Sequence, residues 1–299
     1  MLQTFDERNR DLIVSVDGRL VHRDQAAISP FDSSVQGGDA VWEGLRLYQG
    51  RIFRLGEHLA RLRRSAAALA FASVPSDEEI TGQISATLRA NRMTDNVHIR
   101  LTLTRGVKIT SGMDPRLNQG GPTLIVLAEH KPPVYDQSGI TLVTASVRRP
   151  PPDCLDPKIH HNNLLSSILA KIEANVAGAD DAVMLDRRGF VAETNATHLF
   201  LVAGGRLATP APVACPEGIT RTAVLELAEG AGIGCDVGDL SLTQFYAADE
   251  VFVTGTMGGL TPVIAIDGRA IGDGSPGPVT RRLSGLFAGL TARCGSPVV

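Results

Sequence analysis

Two adjacent prolines, Pro132 and Pro133, interrupt the middle of the sequence within residues 130–139. Proline has a fixed φ and no backbone N–H, so the pair continues neither a helix nor a sheet ladder. The chain has 299 residues, a length typical of two domains that each bury a core. We therefore predict a small N-terminal α/β domain over residues 1–129, a linker over 130–139 and a large C-terminal domain over 140–299.

Short strands, tight turns and amphipathic helices alternate in the N-terminal half. Apolar runs at residues 12–16 and 20–21 flank Asp17-Gly18, a dipeptide that supplies the positive φ angles of a type I′ hairpin turn. The apolar period then becomes helical, and Ser76 followed three residues later by Glu79 has the spacing of a capping box.

The C-terminal half also interleaves strands with helices. Helices are predicted over about 162–177, 219–230 and 278–292, and strands over 140–147, 182–185, 190–193, 199–202, 250–254 and 263–266. The apolar side of the first helix consists of Leu165, Ile168, Leu169 and Ile172. The fold class indicated is mixed α+β, with α and β layers around mixed sheets.

Charge and cysteine use exclude several classes of protein. There are 32 acidic and 29 basic residues, so the basic excess typical of a nucleic-acid-binding surface is missing. The four cysteines are far apart and form no Cys-x-x-Cys pair, which argues against a zinc knuckle or a disulfide framework. No window approaches 18 uncharged apolar residues. We expect a cytoplasmic protein without nucleic-acid or membrane partners.

Lysine is scarce: Lys108, Lys131, Lys158 and Lys171 are the four lysines among 29 basic residues. Codon bias towards arginine would produce the same scarcity. Arginine cannot in practice lose its proton, so a reaction that needs a neutral amine must use one of these four lysines. Lys171 is expected to face solvent on a helix, whereas Lys158 alone lies between the end of one element and the start of the next.

Two glycine-containing turns are candidate anion sites. Gly218 directly precedes a predicted helix, whose first N–H groups and positive dipole end attract anions. The turn at residues 254–259, with sequence TGTMGG, follows an apolar strand. The first turn also fits an ordinary helix entry, but two such turns in one domain favour a phosphate site.

Three other motifs have the residue pattern of a known site but lack the surrounding residues that such a site needs. Residues 272–277 fit G-x-G-x-x-G, but the chain ends too soon for a dinucleotide-binding unit. His160-His161 lacks further ligands at helical spacing, so no metal site is predicted. Ser166-Ser167 lacks the Gly-x-Ser-x-Gly elbow of a serine hydrolase.

Glu193 closes an otherwise apolar strand, where it is either an ordinary strand-end carboxylate or the partner of a ligand's ring nitrogen. A lysine, a carboxylate and a phosphate site together meet the needs of pyridoxal 5'-phosphate (PLP). The lysine forms a Schiff base, the carboxylate keeps the ring nitrogen protonated, and the phosphate site anchors the cofactor.

Longer motifs in this sequence resemble those of class IV PLP-dependent aminotransferases. This family includes branched-chain aminotransferases, D-amino-acid transaminases, (R)-amine transaminases and aminodeoxychorismate lyases. The matching motifs are WEGLR at 42–46, TRG at 104–106, KIHHNNLL at 158–165, GADDA at 178–182, ETN at 193–195, GITR at 218–221, ADEVF at 248–252, TGT at 254–256, DGR at 267–269 and GPVT at 277–280. They span nearly the whole chain, and the greatest similarity is to the branched-chain-aminotransferase-like group.

The resemblance implies the two-domain PLP fold type IV, that of D-amino-acid aminotransferase, with the cofactor in the cleft between the two domains. It also implies a homodimer. It implies that Lys158 is the catalytic lysine bound to PLP and that Glu193 faces the ring nitrogen. The remaining cofactor-binding residues that it implies are Arg61, Gly218, Ile219, Thr220, Thr256 and Asn163, of which Asn163 replaces the usual tyrosine.

The resemblance also implies a transaminase that moves an amino group between an amino acid and a 2-oxo acid. The implied substrate-binding residues are Trp42, Arg46, His98, Arg100, Met257 and Gly258. His98 and Trp42 replace a tyrosine and a phenylalanine of branched-chain enzymes, while Arg100 is retained. L-branched-chain amino acids with 2-oxoglutarate are the expected substrates. D-amino acids, (R)-amines and the lyase reaction remain alternatives.

Overall fold

The computed structural model describes residues 3–299, which form two compact units. We call residues 3–132, Ile159–Asn163 and Thr291–Val299 the N-terminal unit. Pro133–Lys158 and Leu164–Leu290 form the C-terminal unit. The chain therefore leaves the C-terminal unit directly after Lys158 and returns to it after Asn163.

The N-terminal unit is built on one antiparallel sheet. The strands found among residues 3–299 are β1 (Ile13–Val16), β2 (Arg19–His22), β3 (Ala40–Tyr48), β4 (Arg51–Ile52), β5 (Val97–Thr104), β6 (Thr123–His130) and the C-terminal β16 (Ser296–Pro297). Their order across the sheet is β16-β4-β3-β5-β6-β1-β2. The helices are α1 (Ser33–Gly37), α2 (Leu55–Ala68) and α3 (Asp77–Ala90).

Local sequence signals explain this unit. Asp17 and Gly18 have φ angles of 52° and 76°, which confirms the predicted type I′ turn. Ser76 and Glu79 form the predicted capping box at the start of α3. Apolar side chains of α2 and α3 join those of the strands in one buried cluster, which covers one face of the sheet.

The C-terminal unit contains a mixed sheet. Its strands are β7 (Ile140–Thr144), β8 (Asp181–Leu185), β9 (Val191–Thr194), β10 (His198–Ala203), β11 (Arg206–Pro210), β12 (Cys235–Gly238), β13 (Glu250–Gly255), β14 (Gly259–Ile266) and β15 (Arg269–Ala270). The order is β12-β11-β10-β13-β14-β7-β8-β9, with β15 paired to β14. Helices α4 (Pro152–Leu155), α5 (Leu165–Val176), α6 (Ile219–Gly230), α7 (Leu242–Tyr246) and α8 (Pro278–Arg293) complete the unit.

The sheet of the C-terminal unit combines both kinds of strand pair. β7 pairs in parallel with β8 and with β14, while β10 and β13 pair antiparallel. Phe200 and Phe252 stack on facing positions of β10 and β13, with ring centroids 5.0 Å apart. The sequence pattern missed α4, β11, β12, α7 and β15. Strand β12 is short and half-exposed, so it has no clear apolar period.

Helix α5 differs from its expected orientation. Its buried residues are Ala170 and Ala174, whereas the large apolar side chains of the predicted apolar side are at least half exposed. Lys171, which was expected to face solvent, has a side chain that is 34% exposed and whose Nζ lies 3.3 Å from a carboxylate oxygen of the buried Asp181. Within residues 3–299, every helix is too short or too polar to traverse a bilayer.

Candidate active site

Lys158 is the last residue of the C-terminal unit before the chain crosses to the N-terminal unit. It follows α4, which ends at Leu155, and a buried proline, Pro157. The backbone N–H of Lys158 donates to Oδ1 of Asp156 over 2.9 Å. This short-range bond fixes the backbone, while the lysine side chain is exposed. The amine is therefore held at its base and accessible at its tip.

Glu193 lies one residue before the end of β9 and is 6% exposed. Its Oε1 accepts a charged contact from Nη2 of Arg149 at 2.8 Å. Its Oε2 lies 4.0 Å from Nε2 of His198, which itself contacts the carbonyl oxygen of Pro216 at 2.7 Å. The carboxylate that the sequence singles out is thus buried beside a fixed cation.

The buried thiol of Cys215 is influenced by the charges of both Glu193 and Lys158. Burial raises the pKa of Cys215, and the Glu193 carboxylate raises it further. The positive charges of Arg149 and Lys158 act in the opposite direction on the same thiol. Lys158 and Glu193, which are 35 positions apart in sequence, therefore lie within electrostatic reach of one buried atom.

The N-terminus of α6 adjoins this group. Gly218, the residue before the helix, has φ +69°, and a Cβ built on it would lie 2.5 Å from Cε1 of His198. Because the residue before the helix is a glycine, it has no side chain that could cap the first turn. The N–H groups of the first turn, which include those of Ile219 and Thr220, have no partner within the helix. They form a donor set suited to an anion.

The second glycine turn, residues 254–259, lies beside the start of β10. A Cβ on Gly255 would lie 3.1 Å from Cγ2 of Thr197, the residue directly before β10. The buried hydroxyl of Thr254 has no hydrogen-bond partner among residues 3–299. Thr256 begins the turn to β14. The two glycine turns therefore lie against consecutive residues, Thr197 and His198.

Met257 and Gly258, the predicted substrate-binding residues of this unit, occupy the same turn between β13 and β14. A Cβ on Gly258 would lie 2.9 Å from Cδ2 of Tyr135. The Tyr135 hydroxyl donates to Asp181, so its ring is fixed against the turn.

A metal ion is a poor fit to this group of residues. The ligand atoms of Glu193, His198 and Cys215 lie within 4.8 Å of one another. A thiol binds a metal as its thiolate, but the raised pKa of Cys215 disfavours that form, and Arg149 already neutralises the carboxylate. We assign no metal to these residues.

Arg61, a predicted phosphate ligand, lies in the N-terminal unit and binds a buried carboxylate. Its Nε and Nη2 each donate over 2.7 Å to Glu43, which is fully buried and also contacts Nδ1 of His58 at 2.7 Å. Burial alone would favour the neutral carboxyl, but His160 and Arg61 hold the pKa of Glu43 well below its usual range. The role of Arg61 towards a phosphate stays a prediction.

The predicted substrate-binding residues of the N-terminal unit share the sheet face away from α2 and α3. The guanidinium of Arg100 lies 3.5 Å from the ring centroid of Trp42 and donates to Asn162 over 2.9 Å. Burial lowers the pKa of Arg100 to about 10. Arg46 pairs opposite His98 in the register of β3 and β5. Burial, with the charges of Lys131 and the two arginines, lowers the pKa of His98 to about 3, so its imidazole is neutral.

Asn163 lies at the end of the segment that follows Lys158. Its Nδ2 donates to the carbonyl oxygen of Gly38 over 3.1 Å. His160 in the same segment stacks on Trp42 with centroids 4.1 Å apart. Residues 159–163 are therefore attached to the edge of β3, and Asn163 contacts the N-terminal unit's own backbone.

Sequence reasoning missed Arg149, His198 and Cys215. Arg149 stands in a proline-rich loop, and the other two stand at a strand start and in a loop, positions without a periodic signal. The hint for His198 and Cys215 is that each lies three residues from a motif, at 193–195 and 218–221 respectively, whereas Arg149 is far from both.

The sequence profile of the family described as "Amino-transferase class IV" matches residues 40–266. The chain belongs to the class IV aminotransferase family. It is 56% identical to branched-chain-amino-acid aminotransferase-like protein 2 of Arabidopsis thaliana over 97% of this chain and 52% of that protein. A putative branched-chain-amino-acid aminotransferase of Methanocaldococcus jannaschii is 41% identical, over 95% of this chain and 98% of the relative.

Solved structures of class IV aminotransferases confirm the expected fold. The branched-chain amino acid aminotransferase of Escherichia coli superposes with a TM-score of 0.85 at 31% identity and 94% coverage of both chains. Another branched-chain amino acid aminotransferase, crystallised with N-(5'-phosphopyridoxyl)-L-glutamate, gives a TM-score of 0.88 at 34% identity and the same coverage of 94%. The mixed α+β architecture of fold type IV and the resemblance to this family are therefore confirmed. The chain spans about half the length of the Arabidopsis proteins that it matches.

Proposed function

We propose that this chain is a PLP-dependent aminotransferase that uses L-branched-chain amino acids and 2-oxoglutarate. The observation that carries the proposal is the buried carboxylate of Glu193, which Arg149 contacts at 2.8 Å, in the same unit as the exposed Lys158 and the glycine-preceded start of α6. The Arabidopsis and Methanocaldococcus relatives, both named for branched-chain aminotransferases, support this class of substrate.

The residues of the C-terminal unit fit the chemical groups of PLP. An accessible amine at Lys158 suits an aldehyde, and the buried carboxylate of Glu193 suits a protonated ring nitrogen. The first N–H groups of α6 suit a phosphate. Position 218 has no room for a side chain, because a Cβ there would collide with His198. The hydroxyl of Thr254, near the end of β13, has no partner among the described residues, which indicates that a polar ligand or water binds beside the turn between β13 and β14.

When bound, PLP withdraws electrons from the substrate and so makes the bonds to its Cα easier to break. Lys158 would attach the cofactor and, once released from it, move the proton taken from the substrate's Cα as a general base and acid. Glu193 would hold the proton on the ring nitrogen. The backbone of Ile219 and Thr220, with Thr256, would anchor the phosphate.

The positive charge on the sheet face away from α2 and α3 in the N-terminal unit supports an acidic substrate. Arg46 and Arg100 lie on this face with neutral His98 beside Arg46 in the next strand. A partly desolvated guanidinium binds a carboxylate strongly because little water has to be removed. We propose that Arg100 binds a substrate carboxylate and that the Trp42 ring supports it from below. Both substrates of a transaminase, an amino acid and a 2-oxo acid, carry such a group.

We also propose that the chain functions as a homodimer through α5. The exposed residues on this helix recur at helical spacing and form one apolar stripe: Leu165, Ile168, Leu169, Ile172 and Val176. Their exposed fractions range from 50% to 85%. A contiguous apolar stripe of this kind is typical of a protein interface rather than of a solvated helix.

The catalytic lysine is tested by substitution of each lysine in turn. The purified protein with PLP should absorb in the visible range, and Lys158→Ala should abolish both the band and the incorporation of hydride from borohydride into the protein. Lys108→Ala, Lys131→Ala and Lys171→Ala are the controls, and each should keep both. A spectrum unchanged in Lys158→Ala would show that another group holds the cofactor.

The substrate class is tested by a panel of single amino donors. L-Leucine should remove the visible band as the amino group passes to the cofactor, and 2-oxoglutarate should restore it. D-alanine, (R)-1-phenylethylamine and aminodeoxychorismate represent the alternatives. A response to D-alanine without one to L-leucine would refute the branched-chain assignment. Release of pyruvate from aminodeoxychorismate with no oxo-acid acceptor would indicate a lyase.

A further inference from the structure

Arg149 connects Glu193 to two other segments of the C-terminal unit. It lies between β7 and α4, and its side chain is 11% exposed. While Nη2 contacts Glu193 at 2.8 Å, Nη1 donates to Oγ of Ser167 over 3.2 Å. Nε donates to the carbonyl oxygen of Ala214 over 3.3 Å. All three nitrogens of the guanidinium are engaged, so its orientation is fixed by α5 and by the loop before α6.

Because Glu193 is buried, its ionised form depends on the positive charge of Arg149. A carboxylate removed from water tends to take up a proton unless a cation lies beside it. Cys215 carries no positive charge in either protonation state, and Nε2 of His198 lies 4.0 Å from Oε2 and also contacts the carbonyl oxygen of Pro216. Arg149, a permanent cation, contacts Oε1 more closely, at 2.8 Å.

We propose that Arg149 is a positioning residue that keeps Glu193 ionised and oriented towards the ring nitrogen of the cofactor. The inference rests on the proposed function, because it needs the role of Glu193 proposed above. Arg149 acts through Glu193 and touches neither substrate nor cofactor. The competing explanation is that Arg149 only holds α5 and the loop before α6 together. The two explanations differ in whether the loss of Arg149 weakens cofactor binding through the ring nitrogen.

The test compares two ligands that differ at that one atom. Dissociation constants of the apoprotein are measured by equilibrium dialysis for PLP and for an analogue with CH in place of the ring nitrogen. Arg149→Met should weaken PLP binding by roughly 10- to 100-fold, the range for a lost hydrogen bond to a charged group. The same variant should change binding of the analogue less than about threefold, because the analogue has no ring nitrogen for Glu193 to hold.

Two further variants make the comparison specific. Arg149→Lys keeps the charge but loses the fork that reaches Ser167 and Ala214, so it should restore part of the selectivity for PLP over the analogue. Arg188→Met is the matched control, because Arg188 is also ion-paired, to Asp239 at 2.7 Å, but is 52% exposed. It should leave both dissociation constants unchanged. In a Glu193→Gln background, Arg149→Met should have no further effect on the selectivity.

The outcomes separate the inference from the proposed function. Equal weakening of both ligands, or no weakening of either, would overturn the role of Arg149. A wild-type protein that binds neither ligand would refute the proposed function instead. If Arg149→Met fails to fold by circular dichroism, Arg149→Lys decides: a selectivity equal to that of the wild type would show that the fixed orientation of the guanidinium has no role.

Discussion

Glu43→Gln removes the buried charge at the centre of the N-terminal unit. Glu43 is fully buried between β3 and α2 and accepts contacts of 2.7 Å from two nitrogens of Arg61 and from Nδ1 of His58. Glutamine has one acceptor oxygen and presents an NH₂ donor where carboxylate oxygen accepted before. With its oxygen in the place of Oε2, glutamine keeps the contacts from Nη2 of Arg61 and Nδ1 of His58, and its NH₂ faces Nε of Arg61. We therefore expect one of the three contacts to be lost and the other two to lose the charge of the carboxylate.

The expected cost follows from the one lost contact and from the charge that the other two contacts lose. A hydrogen bond to a charged group contributes about 1.5–3 kcal/mol and a neutral one about 1 kcal/mol, so the free energy of unfolding should fall by about 3 kcal/mol in all. Breaking a buried ion pair by removing one partner costs about 3–5 kcal/mol in general, which is consistent with this value. Arg61 is 11% exposed, so partial solvation of the guanidinium favours the lower end.

Urea unfolding followed by tryptophan fluorescence measures this cost in the N-terminal unit, because Trp42 is the single tryptophan of the chain. Asp77→Asn is the matched control: it makes the same change in a pair with Arg63, in which the side chains are 51% and 36% exposed, and should cost less than about 1 kcal/mol. A loss below about 1 kcal/mol in Glu43→Gln would refute the reasoning.

The pH dependence gives the same prediction a second, independent check. The pKa of Glu43 is lowered in the folded protein, so its stabilisation is present above the unfolded value and is lost as the pH falls through the folded value. The difference in stability between the wild type and Glu43→Gln should therefore be constant near neutral pH. It should begin to shrink only below the unfolded pKa of about 4.3.

Two further substitutions test the other proposals. Light scattering tests the proposed dimer. Ile172→Glu, in the apolar stripe of α5, should give a monomer, whereas Leu286→Glu, at an exposed position of α8, should give the same assembly as the wild type. A dimeric Ile172→Glu protein would exclude this interface. Gly218→Ala should weaken PLP binding more than tenfold because its Cβ would displace His198, whereas Gly204→Ala, also at positive φ but in open space, should leave the affinity unchanged. Equal affinities in the two glycine variants would argue against a phosphate site at α6.

Local signals in the sequence predicted most elements because they depend on neighbouring residues. The Asp17-Gly18 turn and the Ser76 cap need only their own dihedral preferences and adjacent N–H groups. Helix α6 has the bounds predicted from its apolar period. The same local pattern misjudged α5, since periodicity shows that one side of a helix is apolar but cannot show what covers that side.

The sequence by itself determined the family, the fold class and the short list of reactive groups, because motifs and the scarcity of lysine are properties of the chain order. Only the tertiary structure decided which charges meet. Arg149 and Glu193 are 44 positions apart, and Glu43 and Arg61 lie on a strand and a helix. Each of these carboxylates is buried, and a buried charge persists only beside a partner of opposite charge. Folding supplies those partners from distant segments, where no spacing rule applies.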